Sequence, residues 1–419
     1  MVAVDEQGLV RAMVGSRHPY TPGTYEANYA VRGNGSSGRE PGSTFKPLVL
    51  AEALRQGYSL NSRYDAQGTM EFEQWRTDGE PWKVSNYSES DAGVLDLTRA
   101  TAESSNTAYA QLMLDLGTDV VDSDGDGSPD SARGPASVAA LAERLGVMGG
   151  DIPIDQTQPA MVLGTVNATP LEMAGAYSTF ANRGVYRAPQ IVTRVEQVND
   201  EGEATVLYQR QVQEDRVMSE TQADLVTHAL QAVVSDGGTG EGAAIDRSAA
   251  GKTGTSQSNR NAWFAGYVPG MTAVVWMGYP NTDYVNPETG ANELWPMNSD
   301  GRLVHGRPAT GGSIPASIWH DYMEVATANL TGEFVAVTPE QIRTGTALNE
   351  GELLTPDETV PTTPPDDGNG NGNGGPDWSL PEITLPTNPG RPGATTTTSG
   401  QGTTTTTSGG GPPSTGPSP

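Results

Sequence analysis

Cysteine is absent from all 419 residues, which excludes a disulfide framework, a thiol nucleophile and a zinc site built on thiolates. Lysine is nearly absent too. Of 24 basic residues only three are lysines, Lys46, Lys83 and Lys252, so arginine serves almost everywhere that positive charge alone is wanted. Arginine stays protonated in proteins, whereas a buried lysine can release its proton and act as a base, so each surviving lysine marks a candidate titrating or compact cation. Basic residues as a class are outnumbered by 51 acidic ones, for a net charge of −27. That field repels phosphate backbones and anionic membrane surfaces and sets a nucleic-acid role aside. No run of about 18 apolar residues occurs, and Met1 leads straight into VAVDEQGLVRAMVG, with neither a basic n-region nor an apolar h-region. Those opening residues already read as a core strand, so the chain is expected to start inside something longer.

What is present divides by composition. Residues 1–328 have apolar runs broken by Gly, Pro and Asn at loop intervals, as in a folded domain. A transition segment, 329–354, precedes residues 355–419, where Pro, Thr, Gly and Ser dominate; such a tail cannot bury enough apolar surface to offset chain entropy and is expected to be disordered. Within the domain, Val2–Val4 and Leu9–Val14 flank a DEQG turn as an opening hairpin. Thr44–Arg55 and Asn106–Leu116 read as helices, and Trp263–Val268 and Thr272–Met277 as strands split by the turn PGM. Strands, then many helices, then strands again predict an α+β fold: a mostly antiparallel sheet whose first and last strands come from opposite ends of the domain, flanked by helices, with an all-helical subdomain inserted.

Three short motifs carry chemistry. GREPGSTFKP puts Ser43 and Lys46 three residues apart at a predicted helix start, on one face. A serine hydroxyl needs a base to take its proton, and a desolvated lysine can serve; the helix start adds N–H groups suited to an oxyanion. Ser104-Ser105-Asn106 opens the second helix, where an ordinary N-cap is the commoner use of such a triplet. Lys252-Thr253-Gly254-Thr255 precedes the late hairpin, a place where a strand end with a glycine turn is also common. Each alone is weak, but their order, with two of the three lysines inside them, argues against coincidence.

These triplets resemble the Ser-x-x-Lys, Ser-x-Asn and Lys-Thr-Gly motifs of penicillin-binding proteins and serine β-lactamases. The longer segments EPGSTFKPLVLAEAL, SSNTAYAQLML, NATPLEMAGAYSTFANRGVY, GKTGTSQSNRNAWFAGYVPGMTAVVWMGY and GGSIPASIWHDYM resemble the transpeptidase domain of class A penicillin-binding proteins, and the likeness covers nearly all of residues 2–325. It implies a β-lactamase/transpeptidase-like fold and a D,D-transpeptidase that cross-links peptidoglycan stem peptides ending in D-Ala-D-Ala. It also implies an extracytoplasmic location at the cell membrane or wall, β-lactams as covalent inhibitors, and no cofactor. Carried over by motif, Ser43 would attack the penultimate D-Ala carbonyl and Lys46 take its proton. Ser104 would relay a proton to the leaving amine under the influence of Lys252, while Asn106 holds the substrate amide and Lys46. The N–H groups of Ser43 and Thr255 would form the oxyanion hole, and Lys252, Thr253 and Thr255, around Gly254, would receive the terminal carboxylate.

Two features depart from that pattern. The family's glycosyltransferase domain and membrane anchor are not in this sequence, which points to a truncated chain or a stand-alone transpeptidase, and truncation is the expectation. VVDSDGDGSPDSARGP, in an acidic insertion at 116–137, places Asp122, Asp124, Asp126 and Asp130 as an EF-hand-like calcium loop would, with Gly127 at its turn. Its twelfth position is Arg133 instead of glutamate, which favours an acidic, solvated insertion with no metal. Lys83, in EPWKVSNYSESDAG, is expected in a structural or rim role. Trp82, Tyr87, Trp263 and Tyr267 could line a peptide groove, although aromatics at strand spacing are more often core. Three competing functions share the nucleophile: a β-lactamase, for which no Glu-x-x-Leu-Asn segment is present; a D,D-carboxypeptidase, in which water replaces the acceptor amine; and a non-catalytic penicillin-sensing module.

Overall fold

The computed structural model describes residues 1–349 apart from 16–27, 34–35, 78–79, 118–119, 122–130, 151, 154–156, 281–282 and 299–300. All of these belong to one compact unit, Met1–Pro356. Its centre is a five-stranded sheet of β1 (Val2–Asp5), β2 (Val10–Met13), β3 (Ala250–Thr255), β4 (Asn261–Val268) and β5 (Met271–Gly278), in the spatial order β3-β4-β5-β1-β2. Every pairing is antiparallel, and β1 closes on β5 with Val2 opposite Val274 and Val4 opposite Thr272. The sheet therefore joins the first strands to the last, as the order of elements in the sequence predicts.

Period-two alternation sorts the strand side chains onto two covered faces. Val2, Val4, Trp263, Ala265, Tyr267 and Val274 face one core, while Ala3, Phe264, Val268, Ala273 and Val275 face another with Trp319 and Met323. All eight residues of β4 are buried, as a strand with helices on both faces requires. Helix α1 (Lys46–Arg55) is buried at nine of its ten positions, which makes it the central helix and not a surface one. Around it lie α2 (Leu97–Ala102), α3 (Asn106–Asp115), α4 (Arg133–Arg144) and, beyond α5 (Pro170–Ala181), which packs on β1, β4 and β5, α6 (Glu220–Val234); α7 (Ile314–Ala326) covers the opposite face of the sheet. Phe334 packs edge-on against Tyr267 at 5.6 Å, and Thr346 and Leu348 accept backbone hydrogen bonds from Ser59 and Arg63, so the chain to Asn349 is tied to this body.

The first helix differs from the expected Thr44–Arg55. Gly42–Phe45 form a 3₁₀ turn and the α-helix begins at Lys46, with Pro47 in its first turn, where a missing N–H costs nothing. The acidic run inside the insertion is bounded by strand and not by helix. Its flanks, Val120–Val121 and Ser131–Ala132, pair as a short antiparallel ladder, and α4 starts only at Arg133. Asp122, Asp124, Asp126 and Asp130 lie outside the described residues. Trp263 and Tyr267 are fully buried and Trp82 packs on Phe72 at 5.4 Å, so these three are core; Tyr87 is exposed.

Candidate active site

The chain reaches Ser43 by crossing the sheet at right angles. Trp276, Trp263 and Gly254 stand in one register row on β5, β4 and β3. Over that row the Arg39 guanidinium stacks on Trp276 at 5.7 Å, the Glu40 carbonyl accepts from Trp263 Nε1 at 2.8 Å, and the Pro41 carbonyl lies against Gly254. A Cβ on Gly254 would come within 2.2 Å of that carbonyl, and one on Gly42, itself at φ +56°, within 2.9 Å of the Thr255 carbonyl. Glycine at both positions lets the Ser43 turn and the edge strand meet backbone to backbone. Tyr177 adds a buried hydrogen bond from its hydroxyl to the Thr44 carbonyl at 2.8 Å. The turn that carries Ser43 is thereby fixed beside Thr255.

Ser43 and Lys46 sit at the start and just past the end of the 3₁₀ turn, where residues three apart eclipse. Lys46 is fully buried. Its Nζ donates to the Ser104 carbonyl at 2.6 Å and Asn106 Oδ1 at 2.7 Å, with Ser104 Oγ at 3.4 Å. Among the described residues Ser43 Oγ is not one of its partners. Asn106 Nδ2 donates to the Ser85 carbonyl at 2.8 Å, so both ends of that amide are held by the protein. Lys252, equally buried, donates from β3 to Ser104 Oγ at 2.7 Å. Burial, with Lys252 close by, holds the Lys46 pKa well below that of an ordinary lysine; burial alone pushes Lys252 down to about 7.

The middle triplet divides its labour. Ser105 is the N-cap of α3, its hydroxyl accepting from the Ala108 N–H at 3.2 Å. Ser104, just before it, has φ +59°; a non-glycine residue held in the left-handed region signals an over-determined position. Its hydroxyl points at both lysines and not at the helix. Thr253 Oγ1 spends its proton on Thr239 Oγ1 at 3.0 Å, whereas Thr255 Oγ1 accepts from the Gly311 N–H at 3.1 Å and keeps its proton free to donate.

Sequence reasoning missed several supports of this arrangement. Asn86 Oδ1 accepts from the Asn106 N–H at 2.7 Å and the Thr107 N–H at 3.2 Å, which seats the start of α3. Its signal was an Asn directly after a β-rich run. Lys83, the residue singled out nearby, is an exposed partner of Glu71 at 3.7 Å on the hairpin Thr69–Thr77/Glu80–Ser85. Ser85 and Thr239 carried no signal.

The penicillin-binding protein transpeptidase domain, as a family model, matches residues 1–293. The chain belongs to that family. As a transpeptidase domain it is 28% identical over 368 residues to penicillin-binding protein 1A of Aquifex aeolicus, covering 87% of this chain and 42% of that protein. Over 405 residues it is 29% identical to penicillin-binding protein 1A of Mycolicibacterium smegmatis, covering 92% and 43%. The transpeptidase domain thus spans less than half the length of these curated relatives. Among solved structures, PonA1 of Mycobacterium tuberculosis in complex with penicillin V superposes with a TM-score of 0.62 at 26% identity, covering 82% of each chain. Penicillin-binding protein 1A of Haemophilus influenzae, at 22% identity, shares the fold with a TM-score of 0.60 over 81% of this chain and 48% of its own. Among the described residues no helix of the transpeptidase domain is long and apolar enough to cross a membrane.

Proposed function

We propose that this domain is a serine D,D-transpeptidase that cross-links peptidoglycan stem peptides through an acyl-enzyme on Ser43, and that penicillins acylate the same residue. One observation carries the reading: two fully buried lysines converge on one serine hydroxyl, Lys252 Nζ at 2.7 Å and Lys46 Nζ at 3.4 Å from Ser104 Oγ. Burying two amines costs several kcal/mol in desolvation, roughly, unless one or both are neutral. A neutral Lys46 has two N–H groups, matched to the Ser104 carbonyl and Asn106 Oδ1, and one lone pair left for a hydroxyl proton.

In this mechanism Ser43 Oγ bonds to the penultimate D-Ala carbonyl carbon as its proton passes to Lys46. The backbone N–H groups of Ser43 and Thr255 hold the oxyanion. The C–N bond to the terminal D-Ala then breaks, and the leaving amine takes a proton from Ser104 Oγ, which is resupplied from Lys46. An acceptor amine enters by the reverse steps and frees Ser43. Lys252 and the Thr255 hydroxyl receive the terminal carboxylate; Thr253, whose proton is committed to Thr239, supports Lys252. The site would work on the extracytoplasmic face of the cell membrane, in a longer protein whose remainder includes a glycosyltransferase domain and an anchor.

The test is incubation with a fluorescent penicillin followed by mass spectrometry. A long-lived adduct on Ser43, absent from Ser43→Ala, is expected. Rapid turnover of the adduct would make the domain a β-lactamase, and the absence of any adduct would remove the serine-nucleophile mechanism. Stem peptide hydrolysed without transfer to an amine would make it a D,D-carboxypeptidase, and an adduct with no reaction on stem peptide a sensing module.

A further inference from the structure

Beyond β5 the described residues 279–280, 283–298 and 301–310 build a rim at the Thr255 end of the sheet. Three contacts clamp it to the loop that leaves β3, and a fourth ties Gly311, just past it, to the end of that strand. The Met297 N–H donates to the Asn259 carbonyl at 3.1 Å, Asn259 Nδ2 donates to the Ala309 carbonyl at 3.0 Å, Arg260 pairs with Glu293, and the Gly311 N–H holds Thr255 Oγ1. Arg302 projects from this rim, exposed. Its guanidinium lies 3.9 Å from the centroid of Trp295 and 5.4 Å from that of Tyr279. Trp295 is itself locked, its Nε1 donating to Asp283 at 2.7 Å and its ring 5.2 Å from Tyr284.

In a chain with 51 acidic residues a carboxylate is the easiest partner to supply, and among the described residues ten arginines pair with one. Arg302 has none among the described residues, and its guanidinium makes no hydrogen bond to them either. Its planar fork is held against aromatic faces with N–H donors free, so the side-chain entropy usually lost on binding is already spent. We infer that Arg302 is a carboxylate-recognition residue at the cleft rim, taking a side-chain carboxylate of the peptide that occupies the site. This inference rests on the transpeptidase reading for the identity of the peptide, but not for its readout.

Isothermal titration of the Ser43→Ala chain tests it, with a pentapeptide ending in D-Ala-D-Ala that carries a free glutamyl carboxylate, and with the same peptide amidated there. The free acid should bind about tenfold more tightly, the discrimination one charge-assisted bidentate contact supports. Adding Arg302→Gln should erase the preference, Trp295→Ala should weaken it, and Arg302→Lys should restore only part. Penicillin labelling and melting temperature of Arg302→Gln in the native Ser43 background should stay unchanged, which separates lost recognition from lost folding. Equal affinity for both peptides, binding of neither, or a preference that survives Arg302→Gln overturns the inference. A chain that labels with penicillin but does not discriminate loses the rim site alone. One that discriminates but never labels loses the transpeptidase mechanism alone.

Discussion

At the scale of single residues the site is governed by the cost of burying two amines a few ångströms apart. Burial, with Lys252 close by, holds the Lys46 pKa well below the ordinary lysine range, and burial lowers Lys252 to about 7. If neutral Lys46 is the base and charged Lys252 holds the carboxylate, acylation by penicillin should rise with pH as Lys46 deprotonates. It should fall again with a midpoint near 7 in the free protein. Lys252→Arg should lower the rate yet remove the falling limb, because arginine does not titrate there; a limb unchanged in that variant would assign it elsewhere. The same shift has a stability consequence. An unfolded lysine titrates near 10.4, roughly, so between about 7 and that value the unfolded chain binds the extra proton and stability rises with pH, while below 7 the whole penalty is present. Lys252→Met should therefore stabilise the protein by about 1–3 kcal/mol at pH 6, less at pH 10, while abolishing acylation. Chemical denaturation at the two pH values checks the sign.

At the scale of elements, what matters is how closely the 3₁₀ turn and β3 approach. Gly254→Ala would drive a methyl to 2.2 Å from the Pro41 carbonyl, and neither backbone can give way without shifting the row from Trp276 to Gly254. A cost of about 1–3 kcal/mol and a fall in acylation rate of about a hundredfold are expected, measured by denaturant midpoint and penicillin labelling. Labelling at the native rate would mean that the contact is not needed for the chemistry. This contact also marks the boundary of what was legible beforehand. Ser43, Lys46, Ser104, Asn106 and Lys252, the residues of the proposed mechanism, stand out in the sequence because proton transfer would restrict the residue types that can serve. The antiparallel sheet was readable from alternating apolar runs and its closure from their order. The glycine approach, the Asn86 seat for α3 and the Thr239 contact join backbone or side chains far apart in the chain, and such pairings impose no periodicity. The split between Ser104 and Ser105 was hidden for a related reason: an N-cap and a functional serine differ by one residue of register, which only backbone geometry separates.

At the scale of the whole molecule the net charge of −27 sets two opposing salt effects. Screening weakens surface ion pairs such as Arg144–Asp215 and Arg99–Glu103, each contributing about 0–1 kcal/mol. It also relieves repulsion among acidic side chains that no basic residue can neutralise. The excess of acids is the larger quantity, so the melting temperature should rise, by about 2–5 °C between 10 and 200 mM salt. Approach to the site follows the same logic. A penicillin carries a carboxylate and must cross a field of its own sign before it meets Lys252, so its association should quicken as salt shortens the reach of that field. The second-order rate constant for labelling Ser43 should therefore increase across the same salt range. A decrease would mean that the local positive potential of Lys252 and Arg39 extends past the cleft mouth and outweighs the global charge. The sign of a single salt series thus separates a site reached against the protein's charge from one that projects its own.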